Sequence, residues 1–168
     1  DIELDNREGA TAIVCFGDSL TQQGFWSNVF ERKIRESYPG KFSLINKAIG
    51  GNRLMRDSKF LLKGFYGKNA LERVEENVFS YQNVSHAIIC IGLNDMLQPG
   101  SISAPFWDYS PAHEYYKALT QLFLQFREKE IKTVGMNFLA FGGSIDARES
   151  KHKIRRLVND WFAENSEI

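Results

Sequence analysis

Ser19 lies in the run Phe16-Gly17-Asp18-Ser19-Leu20-Thr21, directly after the continuous apolar stretch 11–16 (TAIVCF). A serine placed where a buried strand turns into a helix projects its hydroxyl from the sheet edge, beside helix N-terminal N–H groups. A hydroxyl held in that way suits nucleophilic attack on a carbonyl carbon. Such attack also needs donors for the oxyanion and a base for the hydroxyl proton. Gly51, in Gly50-Gly51, can present its N–H with no side chain in the way. Asn94, in Gly92-Leu93-Asn94-Asp95, can offer its side-chain amide. Asp18 and Asp95 stand next to these groups as supporting carboxylates. Taken singly, each run is the ordinary chemistry of a turn or a helix cap. Their joint occurrence on three successive strand ends is what points to one shared site.

The elements that must hold these groups alternate between short apolar runs and helical patterns, which is the signature of βαβ units and a buried parallel sheet. After the first strand, Trp26, Val29, Phe30 and Ile34 recur at helical spacing until Pro39-Gly40. A second strand is expected over 42–49 and a third over 87–91. Between them come a loop over 52–67, with room for one short helix, and a helix marked by Leu71, Val74 and Val78. A loop follows over 98–109; Ser110 then caps a helix with Pro111 at its first position and a buried stripe of Tyr116, Leu119, Leu122, Phe123 and Phe126. The fourth strand is expected over 133–141. Asp146 and Glu149 form a capping-box pattern before a last helix that faces Ile154, Leu157, Val158, Trp161 and Phe162 inward. The order is β-α-β-α-β-α-β-α. The expectation is one α/β domain over 1–168, a three-layer α/β/α, doubly wound parallel sheet of flavodoxin-like type, with ligand chemistry at the carboxyl ends of the strands.

On these residues the chain resembles the SGNH, or GDSL-type, hydrolases. The blocks are Phe16-Gly17-Asp18-Ser19-Leu20-Thr21, then Asn46-Lys47-Ala48-Ile49-Gly50-Gly51-Asn52, then Ile91-Gly92-Leu93-Asn94-Asp95. Ala70-Leu71-Glu72-Arg73 and Val84-Ser85-His86 also look like the segment that bacterial members carry before the third block. Thr21 distinguishes the first block from the Gly-x-Ser-x-Gly elbow of α/β-hydrolases. The resemblance implies a serine esterase or lipase acting on small acyl esters of carbohydrates or lipids. It implies Ser19 as nucleophile, with Gly51, Asn94 and the Ser19 N–H as oxyanion donors, and no metal or organic cofactor.

The family's fourth block, Asp-x-x-His, occurs nowhere in the chain. The family sheet also has five strands, in the order second, first, third, fourth, fifth, against four here. A C-terminally incomplete SGNH domain is therefore expected. His86 precedes the third strand, at the wrong end of the sheet. His113 and His152 follow strands and face the active edge, with His152 the weak candidate for the base and Asp146 better read as a cap. The alternative reading is a non-catalytic remnant or binding module that keeps the pocket without the base. A nucleotide-binding flavodoxin-like domain ranks lower, since no glycine-rich phosphate loop is present. Loss of the fifth strand exposes the fourth as an edge, with homo-oligomers expected through it.

Lys plus Arg and Asp plus Glu both total 21, so the chain has no electrostatic footprint for nucleic acid. No apolar run reaches the roughly 20 residues of a membrane span. Residues 1–9 lack a signal-peptide pattern, and a cytoplasmic protein is expected, with secretion the alternative if a signal was removed. Cys15 and Cys90 sit in apolar runs as small buried hydrophobes, with no disulfide framework or metal spacing. Phe60, Phe65, Tyr66, Phe106, Trp107 and Tyr109 either line a sugar or acyl site or anchor their loops.

Overall fold

Strand β1 (Thr11–Gly17) is buried along nearly its whole length, as its unbroken apolar run requires, and it occupies the interior of a four-stranded parallel sheet. The computed structural model describes residues 10–59, 62–143 and 147–165. Among these the strand order is β2-β1-β3-β4, with β2 Phe42–Asn46, β3 Val84–Cys90 and β4 Lys132–Gly135. The helices are α1 (Ser19–Gln22), α2 (Ser27–Ser37), α3 (Lys63–Tyr66), α4 (Ala70–Val74, continued by a π turn), α5 (Leu93–Leu97), α6 (Ala112–Glu128) and α7 (Glu149–Glu164). Val14, Phe16, Val74, Ile89, Leu119, Leu122 and Phe126 form the centre of the core. Thr11 to Cys15 pair in register with Phe42 to Asn46, and on the other side Phe16 and Gly17 pair with Ile89 and Cys90. The carboxyl ends of these three strands are thereby level with one another.

Several elements differ from the sequence expectation, each for a local reason. Strand β2 stops at Asn46, whose side chain accepts from the Ala48 N–H at 3.1 Å and donates to the Thr21 carbonyl at 2.9 Å. Strand β4 spans only Lys132–Gly135 rather than 133–141. Beyond it, Asn159 of α7 takes both backbone groups of Phe138, accepting from its N–H at 2.8 Å and donating to its carbonyl at 3.0 Å. One amide side chain thus replaces the strand partner that Phe138 lacks. Ser110 does not cap α6: its hydroxyl accepts from Arg56, and Pro111 holds the cap position. Tyr115, not Tyr116, is the fully buried tyrosine of α6, while Tyr116 stacks on Trp161 at 5.8 Å. Helix α7 starts at Glu149 with Arg148 at its cap, so Glu149 is not the third helical residue that a capping box needs. Asp146 lies outside the described residues. Leu157, expected to face inward, is 40% exposed, because Lys151, Ile154 and Val158 form the buried line of α7.

Candidate active site

The turn after β1 is built by exclusion. A Cβ on Gly17 would lie 2.5 Å from Thr21 Oγ1 and 2.6 Å from the Cys90 carbonyl, so only glycine lets β1 and β3 converge there. Asp18 is buried; it caps α1 by accepting from the Leu20 N–H at 3.0 Å. Ser19 follows as the first residue of α1, partly exposed. Among the described residues, neither its hydroxyl nor its N–H is engaged in a hydrogen bond.

The loop after β2 is held from several sides. The Gly50 N–H donates to Gln22 Oε1 at 2.8 Å, and Gln98 Nε2 donates to the Gly51 carbonyl at 2.6 Å. Gly51 has φ +73°, and an added Cβ would overlap the ring of Tyr66. Its own N–H is not taken by any described residue. Asn52, fully buried, donates to the carbonyls of Tyr66 at 2.7 Å and Lys68 at 2.8 Å. Asn94, in α5, donates through Nδ2 to the Asn52 carbonyl at 3.0 Å and to Asp18 Oδ2 at 3.4 Å. These two bonds bring all three strand-end blocks into one cluster.

Asp95 is fully buried and ties α5 to the same loop, accepting from the N–H groups of Leu54 and Met55. It is more than a local cap: the buried Arg53 guanidinium lies 3.6 Å from it and bonds Asp108 at 3.0 Å. Burial first, and then repulsion from Asp95, pushes the Asp18 carboxyl up to about 6. Burial raises Asp95 also, against the pull of Arg53 and its two N–H donors. Burial pushes the Cys15 thiol up to about 12 and Cys90 up to about 11, so neither is a ready nucleophile.

The histidines are not gathered here. His86 sits near the start of β3, its Nδ1 2.8 Å from Ser85 Oγ and its ring edge-on to Phe42. His113 is exposed in the first turn of α6. His152 stacks face to face on Phe141 at 4.4 Å, and no described contact joins it to Ser19. Among the described residues no group of three His, Cys, Asp or Glu side chains can hold a metal ion. No helix among them is long and apolar enough to cross a membrane.

The loop aromatics divide. Tyr66 packs on Gly51 and Tyr109 packs on the core, whereas Phe65 and Trp107 are 78% and 81% exposed, and Phe106, 63% exposed, has the Arg148 guanidinium 6.0 Å from its ring centre. Phe60 lies outside the described residues. The sequence reading did not find Gln22, Gln98, Arg53 or the reach of Arg73, because polar residues in loops and helices carry no periodic signal of burial.

A doubly wound parallel sheet, with Gly-Asp-Ser, Gly-Gly-Asn and Gly-x-Asn-Asp at three level strand ends, defines an SGNH-type α/β hydrolase scaffold. The chain belongs to the GDSL-like lipase/acylhydrolase family, whose model matches residues 15–167. Solved structures agree. The acetyl xylan esterase AlAXEase superposes with a TM-score of 0.66 at 19% identity, over 92% of this chain and 74% of that one. Axe2, an acetyl xylan esterase from Geobacillus stearothermophilus solved as a substituted form, gives 0.64 at 22% identity, over 94% and 75%. The psychrotrophic esterase EstA from Pseudoalteromonas sp., solved inhibited by monoethylphosphonate, gives 0.62 at 18% identity, over 93% and 74%. No curated protein matches the chain in sequence.

Proposed function

We propose that the chain is a serine carboxylic ester hydrolase in which Ser19 Oγ attacks the carbonyl carbon of a small acyl ester. In that step the Oγ–C bond forms, the carbonyl electrons move onto oxygen, and the Oγ proton passes to a base. Collapse expels the alcohol and leaves an acyl-Ser19 ester that water hydrolyses. The N–H groups of Ser19 and Gly51 and the Asn94 amide are the oxyanion donors. The observation that carries this reading is selective: both N–H groups and the Ser19 hydroxyl are unclaimed, while nearly every polar group around them is tied. Acetyl esters of carbohydrate are the proposed substrate class, supported by the two acetyl xylan esterases among the neighbours and by exposed Phe65, Phe106 and Trp107, whose faces suit sugar rings.

A second reading, a binding module, is favoured by one observation: no described histidine contacts Ser19. In serine hydrolases, loss of the triad histidine costs about six powers of ten in kcat. A fluorophosphonate probe tests the first reading. Labelling at Ser19 that disappears in Ser19→Ala supports a nucleophile; no labelling, or labelling that survives the substitution, overturns it. Equal p-nitrophenyl acetate hydrolysis by the chain and by Ser19→Ala favours the binding module.

A further inference from the structure

Arg73 is 3% exposed and sits on α4, far in sequence from both blocks that it touches. Its Nη2 donates to the Gly17 carbonyl at 3.0 Å, at the end of β1 just before Asp18 and Ser19. Its Nε donates to Asn52 Oδ1 at 2.8 Å, and its Nη1 to the Lys47 carbonyl at 2.8 Å. Nη1 also reaches Asn77 Oδ1 at 3.2 Å, within the helical segment itself. The guanidinium carbon lies over the Phe16 ring, 4.0 Å from its centre. Among the described residues no carboxylate pairs with it, so backbone and amide oxygens and the Phe16 ring face compensate a buried cation. Burial pulls it down to about 10, which leaves it charged at neutral pH.

A buried charge without a counter-ion is costly, and it is retained here with its donors spread over both halves of the candidate site. The partners follow a pattern. Gly17 leads into the turn that presents Ser19. Asn52 follows Gly51, and its carbonyl in turn accepts from Asn94. A planar guanidinium reaches acceptors in several directions at once, which an ammonium on a flexible stem does not.

We propose that Arg73 is a positioning residue for this site, setting the separation between the Ser19 turn and the Gly51–Asn52 loop through a single buried guanidinium. The proposal rests on the reading of Ser19 as nucleophile for its kinetic consequence, but not for its structural one. Displacement of reacting groups by about 1 Å costs about 100-fold in rate. Arg73→Met is therefore expected to lower the rate constant of Ser19 phosphonylation about 100-fold while half-saturation by the probe changes less than about twofold. Arg73→Lys keeps the charge and is expected to recover little of that loss. Asn77→Ala removes only the Arg73 partner within the helical segment and is expected to label at the wild-type rate.

The experiment measures labelling kinetics at a temperature where circular dichroism shows each variant folded. Backbone amide order parameters are measured by NMR alongside. Arg73→Lys with wild-type kinetics overturns the proposal, because charge alone then suffices. A Met variant that labels at the wild-type rate also overturns it. Should the Met variant not fold, Arg73→Lys decides by the same criterion. If the wild-type chain does not label, the nucleophile reading fails and the order parameters judge Arg73 separately. Loosening confined to 17–19 and 50–52 in Arg73→Lys, absent in Asn77→Ala, supports positioning; unchanged values there overturn it.

Discussion

The Asn94 side-chain amide donates to the backbone carbonyl of Asn52 at 3.0 Å, fastening the end of β3 to the loop that carries Gly51. Its second hydrogen faces Asp18 at the longer distance of 3.4 Å. On the proposed reading, the firm bond holds the amide in place and the weak one is given up to the oxyanion. Asn94→Ala is expected to lower kcat for a short acyl ester, or the phosphonylation rate, by about 10²–10³ with a small change in KM, the effect of losing one oxyanion donor. Steady-state and labelling kinetics measure it. A tenfold rise in KM at unchanged kcat would instead assign Asn94 to ground-state binding.

Gly51 is constrained twice, by its φ of +73° and by the Tyr66 ring where a Cβ would lie. Gly51→Ala is expected to lower stability by at least about 1 kcal/mol from the left-handed backbone alone. Adding Tyr66→Ala relieves the overlap and leaves the backbone cost. Urea unfolding of the single and double variants checks this. Additive losses, with no relief from the second change, would place the Tyr66 ring elsewhere.

How much of this was legible in the sequence follows from the range of each interaction. The three blocks were legible because a strand running into a Gly-rich turn is a local pattern, and the parallel sheet places such ends side by side. Burial of Cys15 followed from the apolar run around it. The length of β4 was not legible, because its continuation is replaced by a clasp from Asn159, 21 residues beyond Phe138. Ser110 read as a cap on local grounds, yet Arg56, 54 residues away, claims its hydroxyl. Arg73 belongs with these: the Gly17 carbonyl it bonds is 56 residues distant. Tertiary hydrogen bonds of that span leave no periodicity to read.

Strand β4 pairs only with β3 among the described residues, and Val134 on it is 58% exposed. Beside it, Phe123, Trp161 and Phe162 line a cavity of about 340 Å³. Unpaired edges with apolar side chains recruit further strands, although an edge of four residues offers only a short ladder. The expected outcome is weak self-association, seen as a mass that rises with concentration in light scattering. Val134→Lys should return the chain to monomer. A monodisperse monomer across the range removes this expectation.

Asp18 provides the pH test. Its carboxyl titrates near 6 in the folded chain against an ordinary value of 3.8, chiefly because burial penalises the charged form. The folded state therefore holds this proton more tightly than the unfolded state does. Stability contributed through Asp18 is greatest below the ordinary value, falls as pH rises towards 6, and stays low above it. Two pK units correspond to about 3 kcal/mol. Asp18→Asn keeps an oxygen to accept from Leu20 and removes the ionisation, so it should stabilise the chain at pH 8 relative to wild type and flatten the decline between about pH 4 and 6. Asp95 is raised in the same direction, chiefly by its own burial, and leaves a residual slope in both proteins. Other carboxylates are common to both proteins, so the difference between the two stability curves isolates Asp18. Urea unfolding at pH 4, 6 and 8 gives those curves. A variant less stable than wild type at pH 8, with an unchanged slope, would mean that the ionised Asp18 carboxylate is favoured by partners stronger than the Leu20 N–H and the distant Asn94 amide.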